Sequence, residues 1–413
     1  MGASRRACAA VNLESTYQYM DALPRPLDLV TADEAAARLT ISHASLYAYV
    51  SRGLIRSFAS PNDPRQRLYS AADVEALLQQ RSRLRRPRVA AATALDWGLP
   101  VLETTITQIK DGRLFYRGID AIELAERASL EDMARLLIKP LDADPFAYPS
   151  PRIPQELAGF AEYPAEHAQA FVHGAMRALS WMDLSPDDVA REAGTILRLL
   201  AFVATGVAPT ADPMHEFLAV AWHAPQAADT VRRALVLSAD HELSSSAFAV
   251  RVVASTGAEL SAAVIAGLAA LSGPRHGGAT DRVRAFLDES NPCAEQGALS
   301  TPERPPGFGH LLYPDGDPRA AALLSRVPLL AGDEAAIRQG QLATGRLPTI
   351  DFALVAIERA YRLPKGAAFA MFALGRAVGL IAHAVEQRST PALIRPRARY
   401  VIAEQQETRS KHE

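Results

Sequence analysis

The chain has 413 residues, of which 49% are hydrophobic and 22% charged, and its formal net charge is −2. This composition indicates a globular protein of two or three domains, and the small net charge excludes a chain-wide attraction to nucleic acid or membrane. With only Cys8 and Cys293, a disulfide framework and a cysteine metal site are excluded, which favours a reducing cytoplasm. Neither a secretory signal nor a membrane span is predicted.

The N-terminal region carries a helix-turn-helix pattern over residues 27–80, after a loose tail over 1–26. Thr31 and Glu34 have the spacing of a capping box for a first helix. A short turn leads to a second helix at about residues 43–51, and a third is expected over 71–80, after a loop that contains proline and aspartate. Two short helices across a tight turn are typical of DNA-binding modules.

This region resembles the DNA-binding domain of MerR-type and excisionase-type proteins. The matching residues are Thr31-Ala32, Glu34-Ala35-Ala36, Leu46-Tyr47, Tyr49, Arg52-Gly53-Leu54-Ile55, Arg67-Leu68-Tyr69 and Asp73-Val74. Residues 25–90 hold eleven arginines against six acidic residues, a local positive charge that favours phosphate contact. We therefore predict a small winged helix-turn-helix domain with Ser45, Tyr47, Arg52 and Arg67 at the DNA, followed by a basic linker over 81–94. The alternative is a packing module that touches no DNA.

The middle of the chain begins with a predicted hairpin, in which 104–109 and 114–116 alternate like strands around a turn at 110–113. From 155 to 240 the pattern is nearly all helical. His215 lies where one of these helices begins, and a lone histidine there is more often structural than functional.

The stretch from His241 to Gly278 is apolar for some thirty residues, opening on a His-Glu pair and ending in GPRHGG. A helix that is apolar nearly all round is buried. A polar pair at its entry and bare glycine backbone at its exit suit a ligand, although a core helix with turns at both ends explains the same pattern.

Polar side chains recur on loops and helix starts in the last third of the chain. Gly307 and Gly309 flank Phe308 and place His310 on a loop with exposed backbone N–H groups, and Arg319 follows nine residues later. Asp351 lies at the entry to an apolar helix, where it could be an ordinary N-cap. Arg376 lies inside another apolar helix, which calls for an anionic partner. The inventory suggests proton transfer beside an anionic substrate.

Seven motifs in order resemble those of the citrate synthase family over roughly residues 99–402. They are YRGIDAIEL, ADHELSSSAF, GPRHGG, GFGH followed by DPR, PTIDF, GRAVGLIAH and IRPR. The resemblance implies a mostly α-helical fold of a large domain (95–240 and 356–405) and a small domain (241–355), which close on substrate in a homodimer. It also implies condensation of acetyl-CoA with oxaloacetate and water to give citrate and CoA, with no metal and no permanently bound cofactor.

The resemblance also implies roles for individual residues. His241 matches the histidine that stabilises the thioester enol, His310 the one that polarises the oxaloacetate ketone, and Asp351 the base that removes the methyl proton. Residues 307–309 lie at the predicted CoA site. Oxaloacetate ligands are matched by His215, Arg319, Arg376 and Arg395, the last of which reaches in from the other subunit in the family.

Three positions depart from the family pattern. Leu311 and Pro314 stand where basic residues are usual, and Thr280 stands where asparagine is usual. They leave the acyl-CoA open, so a 2-methylcitrate synthase that uses propionyl-CoA is the nearest alternative. A transcription regulator that senses oxaloacetate or CoA in the same pocket is the alternative from another class.

Overall fold

The computed structural model describes residues 29–51, 54–59, 67–71, 73–75, 77–78, 101–153, 155–157, 165–180, 188–289, 305–398 and 400. The chain divides into two compact units, Met1–Glu103 and Thr104–Glu413. The predicted tail over 1–26, the linker over 81–94 and Arg52 lie outside the described residues.

The first unit is a small helix-turn-helix fold with a three-stranded sheet. Its described elements include β1 (Leu29–Val30), α1 (Ala32–Leu39), α2 (His43–Ser51), β2 (Ser57–Ala59) and β3 (Arg67–Ser70). Residues 71, 73–75 and 77–78, within the predicted third helix, are helical. The predicted capping box is present, since Thr31 N donates to Glu34 Oε2 at 2.8 Å and Glu34 N to Thr31 Oγ1 at 3.2 Å. The antiparallel sheet has the order β1-β3-β2. Tyr69 of β3 and Leu46 of α2 are buried in one hydrophobic core.

The second unit opens with the predicted hairpin, which the structure confirms and extends by one strand. β4 (Thr107–Lys110) pairs antiparallel with β5 (Arg113–Tyr116), and β5 with β6 (Ile119–Asp120). The remaining described elements are helical. They are a short 3-10 helix (Pro225–Ala227) and the α-helices α3 (Ala121–Ala125), α4 (Leu130–Leu137), α5 (Ala168–Ser180), α6 (Val189–Thr205), α7 (Met214–Ala221), α8 (Ala228–Ser238), α9 (Ser245–Ala254), α10 (Leu260–Leu271), α11 (Ala279–Glu289), α12 (Pro318–Leu324), α13 (Ala331–Thr344), α14 (Ile350–Ala360) and α15 (Ala367–Arg388).

The apolar helix α15 lies at the centre of this unit and packs against α6, α8, α9, α10 and α14. It is the one helix in the described part of the chain that is long and apolar enough to cross a bilayer, and its apolar residues are buried inside the protein. The packing explains that composition, because a helix enclosed on every side has no face that water must wet.

The apolar stretch from His241 to Gly278 forms two helices, α9 and α10, rather than the single long helix its composition suggests. Ser244 Oγ accepts from Ala247 N and caps α9. The chain then turns at Gly257, whose φ of 81° lies in the left-handed region, and Glu259 is the N-cap of α10. The division of this unit into a large and a small domain stays a prediction.

Candidate active site

Two histidines that are 69 positions apart in the sequence meet in the second unit. His241, between α8 and α9, and His310, on the loop before α12, have ring centroids 5.1 Å apart and stand edge to face. Tyr313 joins them: its hydroxyl oxygen lies 2.9 Å from His241 Nε2, and its ring centroid is 5.1 Å from that of His310. This contact assembles the predicted histidine pair around a tyrosine that the sequence did not single out.

Both rings are neutral at physiological pH. Burial, assisted by the charges of Arg319 and Arg376, holds the pKa of His241 well below its usual range. Burial and Arg319 lower the pKa of His310 to about 4. The backbone N–H of Leu312 donates to His310 Nδ1 at 3.2 Å, so the neutral ring carries its proton on Nε2. A neutral imidazole still has one N–H, and this group can donate a hydrogen bond to an oxyanion as its charge develops.

Arg319 is buried beside the histidines in a bidentate pair with Asp317. Its Nε and Nη2 lie 2.9 and 2.8 Å from the two carboxylate oxygens, and its guanidinium lies 5.3 Å above the Tyr313 ring. Asp317 Oδ2 also accepts from Ile350 N at 3.0 Å. Asp317 therefore ties the start of α12 to the start of α14, where Asp351 lies.

Asp351 is the second residue of α14, and the N-cap position belongs to Thr349. The Thr349 hydroxyl donates to Asp351 Oδ2 at 3.1 Å. Burial raises the pKa of Asp351 to about 6, against the opposing effects of Arg319 and the Thr349 hydrogen bond. A carboxylate with that pKa is ionised at neutral pH and more basic than an ordinary aspartate, as a general base requires.

Arg376, on α15, is 1% exposed and hydrogen bonds to neutral groups. Its Nε donates to Ser238 O at 3.0 Å and its Nη1 to Ser244 Oγ at 3.4 Å, with the guanidinium 5.1 Å over the Phe372 ring. Burial lowers its pKa, and the charge of Asp240 opposes this. Within the described residues no carboxylate forms an ion pair with Arg376, so the expected anionic partner is not a side chain there.

A chain of hydroxyl groups leads from Arg376 to a third histidine. Ser244 Oγ lies 3.1 Å from Ser246 Oγ, which lies 2.9 Å from Nε2 of His276 in the GPRHGG motif. Burial lowers the pKa of His276 to about 3. Sequence reasoning gave no role to Tyr313, Asp317 or His276, although each lies within or beside a motif that it quoted.

Two further predicted substrate ligands are His215 and Arg395. His215 is on α7, and burial lowers its pKa against the charges of Glu131 and Glu216. Among the described residues, none of the contacts of His215 involves the histidine pair or its arginines. Arg395 is exposed in the irregular segment after α15. The roles of both residues stay predictions.

The loop before His310 differs from its expected form. Gly307 and Gly309 have φ of 82° and 77°, which explains the glycines, but the Gly309 N–H is bonded to Leu347 O at 2.9 Å rather than exposed. The Phe308 ring packs against Phe352, with centroids 5.4 Å apart. The loop is thus braced by the segment that leads to Asp351, and its role in CoA binding stays a prediction.

In the first unit, Tyr47 is 56% exposed on α2 and Arg67 is exposed on β3. Ser45, at the start of α2, donates its backbone N–H to Ser42 Oγ at 3.3 Å. The exposed side chains of Arg67 and Tyr47 can contact a ligand of this unit. The backbone N–H of Ser45 is instead used at the start of α2, where it binds the Ser42 hydroxyl.

A family model described as citrate synthase, C-terminal domain, matches residues 94–397. The chain belongs to the citrate synthase family. A second model, described as a helix-turn-helix domain, matches residues 29–82. The citrate synthase match spans every residue of the histidine and arginine cluster, and the helix-turn-helix match lies within the first unit.

Related citrate synthases cover about three quarters of this chain. Citrate synthase 2 of Bacillus subtilis is 29% identical over 361 residues, which cover 75% of this chain and 95% of that protein. The Mycolicibacterium smegmatis citrate synthase is 30% identical over 364 residues, covering 76% and 95%. A 2-methylcitrate synthase of Mycobacterium tuberculosis is 29% identical over 360 residues, covering 75% and 90%. These identities do not separate the two activities.

Solved structures show the same fold. Citrate synthase from Thermotoga maritima superposes with a TM-score of 0.59 at 25% identity, covering 74% of this chain and 94% of that one. The Thermoplasma acidophilum enzyme, solved as a ternary complex with carboxymethyl coenzyme A and oxaloacetate, gives a TM-score of 0.58 at 23% identity, covering 76% and 99%.

Proposed function

We propose that this citrate synthase-family chain condenses acetyl-CoA with oxaloacetate and water, giving citrate and CoA. The observation that carries the proposal is Arg376, a buried guanidinium without a carboxylate partner among the described residues, beside a pair of neutral histidines. Such a group calls for an anion from outside the chain, and a dicarboxylate such as oxaloacetate supplies one.

In the proposed reaction, the aspartate, the two histidines and the two arginines each have a separate role. The Asp351 carboxylate takes a proton from the acetyl methyl group, and a ring N–H of His241 donates to the thioester oxygen as charge develops there. The enol carbon forms a bond to the ketone carbon of oxaloacetate, while His310 Nε2–H donates a hydrogen bond to the ketone oxygen, which as an alkoxide then takes up the proton that Asp351 removed. Water then cleaves the thioester, releasing CoA as the thiol. Arg319 and Arg376 hold the substrate carboxylates throughout.

A second candidate is 2-methylcitrate synthesis from propionyl-CoA, since a 2-methylcitrate synthase of Mycobacterium tuberculosis is as similar to this chain as the citrate synthases are. Both reactions use the same acid and base groups and differ by one methyl group on the nucleophile. Incubation with oxaloacetate and equimolar acetyl-CoA and propionyl-CoA, followed by mass spectrometry of the products, separates them. A citrate excess supports the proposal, and a methylcitrate excess supports the second candidate. If neither product forms, both candidates are contradicted.

The active unit is proposed to work as a homodimer. Helix α10 carries half-exposed or exposed apolar residues at helical spacing, namely Ala262, Ile265, Ala266, Ala269 and Ala270, of which Ile265 also packs against the core. A stripe of small apolar side chains on a helix suits close contact with a second copy. A dimer would also allow Arg395 to reach the partner's site, as the family resemblance implies. Sedimentation velocity tests this assembly.

The first unit is proposed to bind DNA, with Tyr47 and Arg67 at the interface. Its helix-turn-helix match and the local excess of arginine support this role. A family member that also regulates transcription would sense oxaloacetate through the same pocket. Fluorescence anisotropy with DNA fragments, with and without oxaloacetate, tests whether the two activities are linked.

A further inference from the structure

The catalytic segment around His241 is held on one side by α15. Asp240 is fully buried, and its Oδ1 lies 3.3 Å from His383 Nε2 on that helix. The Gly379 N–H donates to Ala239 O at 3.0 Å. A Cβ on Gly379 would lie 2.4 Å from both Ala239 O and Asp240 Oδ1, so only glycine allows the helix to approach this closely.

The hairpin β4–β5 holds the other side of the same segment. The Tyr116 hydroxyl, fully buried on β5, lies 3.3 Å from the carbonyl oxygens of Leu237 and Asp240. On β4, Ile109 N donates to Glu242 Oε1 at 2.6 Å. His241 therefore stands between two acidic neighbours, each of which contacts a different element of the fold.

Glu242 has an unusual backbone conformation for its residue type. Its φ is 51°, in the left-handed region that a glutamate seldom adopts. A residue is kept in such a conformation only when its surroundings hold it there, and the short bond to Ile109 N is such a restraint. Because Glu242 directly follows His241, its φ affects the direction in which the His241 side chain leaves the backbone.

We propose that Glu242 is a positioning residue for His241, acting by binding its side chain to the backbone of β4. The inference rests on the proposed function, in which His241 donates to the thioester oxygen. An oxyanion donor is effective only when it is held close to its required geometry, so a small rotation of the segment lowers the rate without removing any reacting group.

Three substitutions separate the anchor from the charge and from the backbone conformation. Glu242→Gln removes the charge and keeps an acceptor oxygen at the same reach. Glu242→Asn is one methylene shorter and cannot reach Ile109 N, yet asparagine adopts the left-handed region more readily than glutamate. Glu242→Ala removes the anchor and disfavours that conformation.

The experiment measures kcat, the oxaloacetate KM and oxaloacetate binding by calorimetry for the unsubstituted chain and the three variants. We expect kcat to fall about 10- to 100-fold in the Ala and Asn variants, with the oxaloacetate KM and Kd within about twofold of the unsubstituted chain. The Gln variant should keep kcat within about threefold. If the Ala variant does not fold, the comparison of Asn with Gln gives the same test.

Four results would overturn the inference. If Gln loses as much as Asn, the charge matters and not the anchor. If Asn keeps full activity, the backbone conformation suffices. If kcat and oxaloacetate affinity fall together, Glu242 merely supports the whole site. If the unsubstituted chain itself releases no CoA in the presence of oxaloacetate, the proposed function fails and this inference fails with it, a result distinct from the other three.

Discussion

The hydroxyl oxygen of Tyr313 lies 2.9 Å from Nε2 of His241, and among the described residues it is the hydrogen-bond partner of that ring. Burial raises the pKa of the tyrosine, so it remains a neutral phenol at physiological pH. This bond fixes the plane of the ring that the proposed mechanism uses as an oxyanion donor.

Tyr313→Phe is therefore expected to lower kcat by about 10-fold while leaving the oxaloacetate KM within about twofold. The phenyl ring keeps its place under the Arg319 guanidinium, so oxaloacetate binding should persist, whereas the ring of His241 loses the hydrogen bond to Tyr313. Steady-state kinetics check this. An unchanged kcat would show that the Tyr313 hydroxyl does not position His241.

The rate should depend on the ionisation of Asp351. Its pKa of about 6 means that the base is ionised above that pH and protonated below it. We expect kcat/KM to fall about tenfold for each pH unit below 6, and Asp351→Asn to lower turnover at least about 100-fold at pH 8. A profile that stays flat down to pH 5 would contradict the assignment of Asp351 as the base.

Asp351 should also reduce stability at neutral pH. Its pKa rises from 3.8 toward about 6 on folding, so the folded state binds the proton more tightly. The stability cost is absent below pH about 4, grows as the pH rises to about 6, and is full above it. Asp351→Asn should raise the free energy of unfolding by on the order of 1 to 3 kcal/mol at pH 8, given partial solvent screening. Denaturant unfolding of both proteins at pH 4 and pH 8 measures the change in unfolding free energy that Asp351→Asn causes. An equal change at the two pH values would refute this account.

Arg376→Leu should raise the oxaloacetate requirement. The lost charge-assisted clamp and the unpaired substrate carboxylate correspond to roughly 2 to 4 kcal/mol, or about 30- to 1000-fold in apparent affinity. Arg338→Leu is the matched control, because Arg338 is exposed on α13 and paired only loosely with Glu334. If the two variants have the same apparent affinity for oxaloacetate, Arg376 lies outside the substrate site.

The first unit should bind DNA with an affinity that weakens steeply with salt, because the proposed contacts of its arginines are to phosphate. Arg67→Ala should make the plot of log K against log salt shallower by about one, with Arg338→Ala as the control. Anisotropy with DNA fragments from upstream of the gene, at two salt concentrations, measures both effects. Absence of binding at low salt would favour the packing module instead.

The sequence motifs predicted which residues lie together better than they predicted what those residues contact. The order of the motifs brought out His241, His310, Arg319 and Arg376, and the structure groups them. It could not show that Tyr313 would bond to His241, because that contact depends on the turn over 310–313 rather than on spacing along the chain.

Local rules succeeded where the cause is local. The capping box at Thr31 and the hairpin turn after Lys110 depend on neighbours within a few residues, and both appear as expected. The sequence did not predict the break between α9 and α10, because the residues before and after it are equally apolar. The turn there depends on one glycine, Gly257. Asp317 was missed as a link because its bond to Ile350 N joins segments 33 residues apart.

The most direct test of the proposed reaction is the release of CoA thiol, followed with a thiol reagent, from acetyl-CoA with and without oxaloacetate. The unsubstituted chain should release thiol only when oxaloacetate is present, and Asp351→Asn should do so at least about 100-fold more slowly. Absence of oxaloacetate-dependent release from both acetyl-CoA and propionyl-CoA would contradict the condensation reaction and leave the pocket as a site for binding alone.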